Sequence, residues 1–171
     1  MGQFLNKGFW AVAVLTVALL SGGGCSTSGC LENQNSLPLA GFYSSATGSG
    51  ITVDSLQVGG VGAPHDSLLL ASGGASSLYL PFRSTTDATS FYFRYTQKIF
   101  EEYGITDTIT FRYTSMPYFA SEECGAMYRY RITEVTTTTN LIDSVGITDS
   151  LITNLDIERI KIYFRTASPE E

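Results

Sequence analysis

The sequence predicts an all-β protein: a single antiparallel β-sandwich, immunoglobulin-like in form, behind an N-terminal lipoprotein signal peptide. Three observations carry this. Apolar residues recur with period two from Ile51 onward, the mark of strands with one buried face. Glycine-rich turns break these runs at short spacings, as sandwiches and barrels require. Helical 3.6-residue periodicity is hard to find, and only Lys98 to Tyr103 (KIFEEY) suits a helical turn.

The leader comes first in the chain and is set apart from the fold. Lys7 gives a weakly positive start, and Phe9 to Leu20 (FWAVAVLTVALL) is apolar throughout. A membrane-spanning helix needs about 20 such residues, more than this run has. Ser21-Gly22-Gly23-Gly24 then precede Cys25, an order that resembles a bacterial lipoprotein signal, in which the cysteine takes the lipid and becomes the new N-terminus. Cys30 also follows small residues but lies twice as far from the apolar run, and neither cysteine has an aliphatic residue three positions earlier. Cys25 is therefore the expected lipidation site, with Cys30, an uncleaved anchor or plain secretion as the alternatives. Each buried methylene contributes about 0.8 kcal/mol, and stable attachment takes more than one chain, which a triacylated cysteine supplies.

The expected division is a signal peptide at 1–24, lipidated Cys25 with a polar tether to residue 36, and one sandwich domain over 37–171. Without Lys7 the net charge moves from −6 to about −7. So acidic a chain, with no basic stripe evident, is a poor candidate for nucleic acid. Export places it where disulfides persist. With Cys25 lipidated, Cys30 and Cys124 are the two remaining thiols, and they are expected to pair, the alternative being two free thiols. On the chain-entropy model such a closure stabilises by about 4–5 kcal/mol, less any strain.

Inward faces are expected from Leu78, Leu80 and Phe82; Phe91, Phe93 and Tyr95; Ile109, Phe111 and Tyr113; Tyr128, Tyr130 and Ile132; and Ile160, Ile162 and Phe164. Pro81 suggests an edge position. Turns are expected at Gly48-Ser49-Gly50, Gly59 to Pro64, Ser72-Gly73-Gly74, Ser84 to Ala88 and Tyr103-Gly104. "FRYT" at Phe93 and again at Phe111 reads as two strands of similar chemistry, which could be neighbours. The echo GIT at Gly50, Gly104 and Gly146 has unequal spacing, so solenoid periods fail, and it reads as a way of leaving a turn into a strand.

Reactive constellations are scarce. His65 is the sole histidine, in Ala63-Pro64-His65-Asp66-Ser67, where consecutive side chains of an extended backbone diverge and no G-x-S-x-G accompanies them. An enzyme built on His65 with remote acids would need a deep pocket at that loop. One histidine and two paired cysteines do not make a usual zinc site, and the EF-hand spacing is absent. Glu122-Glu123 reads as a solvated loop, and Gly59-Gly60-Val61-Gly62 lacks the lysine and helix of a phosphate loop. No catalytic residue, cofactor or metal is expected. The outward positions say more: Tyr92, Arg94, Arg112, Arg129 and Arg131, with Tyr79, Tyr163 and Lys161, form an aromatic and basic set suited to a partner protein or a glycan. The same residues also serve as ordinary cross-strand pairs.

Taken together, Cys30-Leu31-Glu32, the Leu37 to Tyr43 strand, Leu78 to Phe82, Asp107 to Tyr113, Phe119 to Gly125, Asn140 to Val145 and the closing Ile160-Lys161-Ile162-Tyr163-Phe164 resemble a family of uncharacterised lipoproteins from Bacteroidetes-type bacteria. That family carries a Ser-x-x-Cys-Gly element, here Ser121 to Gly125, and a terminal Val/Ile-Lys-Ile-Phe/Tyr strand. One departure is Leu141, where an aromatic is often found. The resemblance implies a β-rich envelope lipoprotein and no assigned activity. No acidic run follows Cys25 to mark surface export, so an outer-membrane protein facing the periplasm is expected, with an outer-membrane protein or a glycan as partner.

In the mature protein, mass spectrometry should find an acylated N-terminal Cys25 and two further thiols that alkylate only after reduction. A chain starting at Met1 with every thiol open to alkylation would contradict both expectations.

Overall fold

The computed structural model describes residues 36–122 and 125–166. Cys25, Cys30 and Cys124 lie outside the described residues, as do the leader and most of the tether. Ten strands appear among the described residues: β1 (Leu39–Ser44), β2 (Val53–Gly60), β3 (Leu68–Ala75), β4 (Ser77–Tyr79), β5 (Ala88–Tyr95), β6 (Thr106–Ser121), β7 (Gly125–Thr137), β8 (Ile142–Ile147), β9 (Leu151–Ile152) and β10 (Glu158–Phe164). A single helical turn, α1 (Lys98–Glu101), links β5 to β6, and a 3-10 turn spans Pro64–Asp66.

The strands make two sheets, in the order β4-β1-β10-β8 and β3-β2-β5-β6-β7-β9. Neighbours run antiparallel except β1 and β10, so the first strand lies parallel to the last at the centre of the smaller sheet. The two FRYT strands are indeed neighbours, β5 and β6, with Phe91 opposite Ile109. Facing apolar sides of the sheets form the core. Phe42 of the smaller sheet meets Phe93 of the larger edge to face at 6.5 Å, and Phe164 at 5.2 Å. Phe82 stacks on Tyr113 at 4.4 Å and meets Phe111 and Tyr130. Each such ring, fully buried, contributes about 1.5–3 kcal/mol.

Two local expectations need correction. Ser72-Gly73-Gly74 is not a turn but part of β3, an edge strand whose pairing with β2 carries repeated register shifts. A Cβ on Gly74 would lie 2.6 Å from an Asp54 carboxylate oxygen, so glycine here answers to close packing within a strand. Tyr128 shares the inward side of β7 with Tyr130 yet is exposed, whereas Met127, on the outer side opposite Tyr118, is buried. The cause is length. The hairpin of β6 and β7 is sixteen and thirteen residues long, whereas β5 pairs with β6 only as far as Arg112, and β9 with β7 only at Tyr130 and Arg131. Beyond those pairs the hairpin projects past its neighbours. Pro117 sits in that overhang, where the missing N–H costs no ladder bond to a further strand.

A buried carboxylate joins the two sheets. Asp107 occupies an inward position of β6, in phase with Ile109 and Phe111, and is fully buried. Its oxygens accept hydrogen bonds from the backbone N–H groups of Asn140 (2.8 Å), Leu141 (2.8 Å) and Ile142 (2.9 Å). The Thr138 hydroxyl (2.9 Å) and the Tyr95 phenol (3.0 Å) donate as well. Residues 138–142 are the crossing from β7 in the larger sheet to β8 in the smaller one. Burial alone would raise the Asp107 pKa, but the donors from Ile142, Asn140, Leu141 and Thr138 outweigh it and hold the carboxyl below its ordinary value. Burial, followed by the Asp107 charge and this hydrogen bond, pushes the Tyr95 phenol far above its ordinary range, so it remains a donor.

Because the folded pKa of Asp107 is depressed, its stabilisation is complete well above the unfolded value of about 3.9 and is lost as pH falls through the folded pKa. Asp107→Asn, which replaces an acceptor oxygen by a donor against three N–H groups, should destabilise by about 3 kcal/mol at neutral pH. In urea titrations the gap between wild type and this variant should narrow below about pH 4. A gap that stays constant into strong acid would contradict the assignment.

Candidate binding face

Period-two alternation on β5, β6 and β7 puts all five expected residues, Tyr92, Arg94, Arg112, Arg129 and Arg131, on the outer face of the larger sheet, opposite the buried Phe91, Phe93, Ile109, Phe111, Tyr130 and Ile132. A register shift beside Tyr113 keeps Arg131 and Arg129 in phase with Arg112 by pairing them with Thr114 and Met116. Tyr79, Tyr163 and Lys161 belong to the smaller sheet, whose outer face looks the other way, so the aromatic and basic set splits in two.

The face itself has two parts. Arg94 lies opposite Thr106, six residues along β6 from Arg112, which is about 20 Å at the rise of a strand. At the first part the Arg94 guanidinium lies 5.5 Å from the Tyr92 ring centre and donates to Gln57 Oε1 at 3.3 Å. The Tyr92 ring lies across Gly59 of β2, where an added Cβ would come 2.6 Å from its hydroxyl. At the second part Arg112 pairs with Glu134 at 3.5 Å, both exposed, a contact worth about 0–1 kcal/mol. Arg129 packs its guanidinium 3.7 Å from the Tyr118 ring centre, with a buried Nε that has no hydrogen-bond partner. Arg131 is exposed, and its side chain forms no hydrogen bond or ion pair among the described residues.

Charge distinguishes this surface. Outward positions of β5, of β6 to Tyr118 and of β7 from Met127 hold four arginines and one carboxylate, Glu134, in a chain whose net charge is −6. Thr106, Thr108, Thr110, Thr114 and Thr136 fill the rows between.

Elsewhere, His65 is exposed on the 3-10 turn with φ of 57°, and it lines none of the described cavities. Among the described residues no group of three or more His, Cys, Asp or Glu stands close enough to hold a metal ion. A cavity of about 250 Å³ opens beside α1, lined by Ile51, Val53, Tyr95, Phe100, Leu141 and Phe164. Asp107, the most constrained ionisable group, was not among the expected residues. Its signal was an acid in phase with Ile109, Phe111 and Tyr113.

A model described as a family of unknown function (DUF6452) matches residues 55–164, from β2 to the end of β10. No curated protein and no solved structure matches the chain significantly.

Gly59→Ala should push the Tyr92 ring off β2 at a stability cost under about 1 kcal/mol, since the ring is free to swing outward. Nuclear Overhauser contacts between the Tyr92 ring and residue 59 report this directly. Their persistence in the variant would show that the ring does not rest on the glycine.

Proposed function

The chain belongs to the DUF6452 family, a family of unknown function, and we propose that it is a non-catalytic lipoprotein of the cell envelope that binds another envelope component. In this reading the acylated Cys25 holds it in the outer membrane facing the periplasm, and Cys30 and Cys124 form a disulfide. The partner is an outer-membrane protein with an acidic surface, docked on Arg112, Arg129 and Arg131. The supporting observation is the reversal of charge: a four-to-one excess of arginine over carboxylate on one flat face of an acidic protein. Complementary charge speeds encounter and excludes wrong partners.

The disulfide has support from position. Ser36 and Leu37 border the same groove as Ala126, Met127 and Tyr128. Cys30 is six residues before Ser36 and Cys124 two before Ala126. Six extended residues reach about 20 Å, ample for that gap.

A second reading, a glycan-binding lipoprotein, has its own observation in the other part of the face. An aromatic ring lying flat over Gly59 with a guanidinium beside it is a stacking platform for a sugar. The two readings separate by mutation. Crosslinking in membranes should recover one reproducible partner with wild type and lose it with Arg112→Glu/Arg129→Glu/Arg131→Glu, while Tyr92→Ala leaves it intact. Tyr92→Ala should instead abolish sugar binding in calorimetric titration if the glycan reading holds. Reproducible failure to recover any partner from wild-type membranes would defeat the first reading.

A further inference from the structure

Nine large apolar side chains are exposed among the described residues, and their placement is uneven. Ile99 and Tyr103 sit by α1, at the end of the sandwich where β6 begins, and Val61 and Leu68 flank the 3-10 turn. The other five, Tyr79, Phe119, Tyr128, Leu155 and Ile157, gather at the opposite end, around the point where Ser36 and Leu37 lead into β1. Tyr128 borders the groove that Leu37 also lines. Phe119, on the same side of the projecting hairpin, follows Pro117, the residue opposite Tyr128. On the other flank Tyr79 lies opposite Leu39, and its hydroxyl donates to Asp156, which sits between Leu155 and Ile157. The exposure is substantial, 67% at Phe119 and 52% at Leu155.

Resting on the reading that Cys25 carries the lipid, we infer that this end of the sandwich is a membrane-contact surface, with these five side chains seated in the interfacial layer of the bilayer that holds the anchor. The occupant follows from the chain itself. Cys25 precedes Ser36 by eleven residues, a reach of no more than about 40 Å when fully extended. The tether therefore brings this end closer to the lipid surface than the α1 end. Tyr128, which shares the groove with Leu37, lies opposite Pro117, eleven residues along β6 from Thr106, so α1 stands about 36 Å away along that strand. The side-chain chemistry suits the site: Phe, Leu and Ile offer apolar area to the acyl boundary, and the two tyrosines place hydroxyls at headgroup level. The two flanks lie in different sheets, on either side of Ser36 and Leu37, so contact at both would fix the tilt of the domain and hold the arginine face at a constant angle to the membrane.

The full acylated protein, reconstituted in phosphatidylethanolamine vesicles doped with a diazirine-bearing phospholipid, tests this through two readouts. Flotation with the vesicles reports the anchor, and photolabelling mapped by mass spectrometry reports the contact. The expected result is flotation with label, beyond the acylated N-terminal peptide itself, confined to peptides holding Tyr79, Phe119, Tyr128, Leu155 and Ile157. Phe119→Ser/Leu155→Ser/Ile157→Ser should lose most of that label while still floating. Flotation with label absent from these peptides, or equal on those holding Ile99 and Tyr103, would overturn the contact surface and leave the anchor standing. Absence of label together with a dimer in detergent would assign this end to a second copy of the chain, and so also overturn it. Failure of the wild type to float would overturn the anchor and this inference with it.

Discussion

Five hydrogen bonds converge on the buried Asp107 carboxylate, and the relation between the two sheets depends on them. A sandwich made only of apolar faces could slide, because hydrophobic contact has no direction. Here the crossing from β7 to β8 is pinned at Asn140, Leu141 and Ile142 to a charge carried by β6. The position of β8 then bears on β10, and through the parallel pairing of β10 with β1 on the strand that follows the tether. Burying a carboxylate is tolerable because three successive backbone N–H groups and two hydroxyls are aimed at it. The N–H of buried Ile142 would otherwise have nothing to bond.

This latch lies at the α1 end, while Ser36, Leu37 and the overhang of the long hairpin lie at the other. The molecule is thus divided by role along its strands. One end is held by a satisfied polar network. The other carries exposed aromatic and aliphatic side chains on a hairpin that has outrun its neighbours. Between them runs a flat outer face in which threonines space the arginines.

Strand identity was legible because it is local. Phe91, Phe93 and Tyr95, or Ile160, Ile162 and Phe164, reveal an inward side through alternation alone, and these side chains are buried. Sheet membership was not legible, since it is set by pairing between distant segments: Tyr79 and Tyr92 look alike in sequence yet face opposite ways. Ser72 to Gly74 misled because glycine marks close approach within an edge strand as readily as a turn. Tyr128 misled because alternation tells which side a residue takes and not whether anything lies beneath it. Gly146, expected to open a strand, lies near the end of β8 for the same local reason. Asp107 was visible as an acid in an apolar phase, but its three backbone donors come from residues more than thirty positions away, beyond the range of any local pattern.

Asp107 ties the crossing to β6 as firmly as the core strands are tied to each other. Amide hydrogen exchange at Asn140, Leu141 and Ile142 tests this most directly, because those three N–H groups make the bonds in question. They should exchange as slowly as the amides of β5 and β6 in the wild type, and Asp107→Asn should speed them far more than it speeds β5. Exchange at these three positions as fast as at the exposed loop amides of Thr85 and Thr86 would show that the carboxylate does not hold the sheets together.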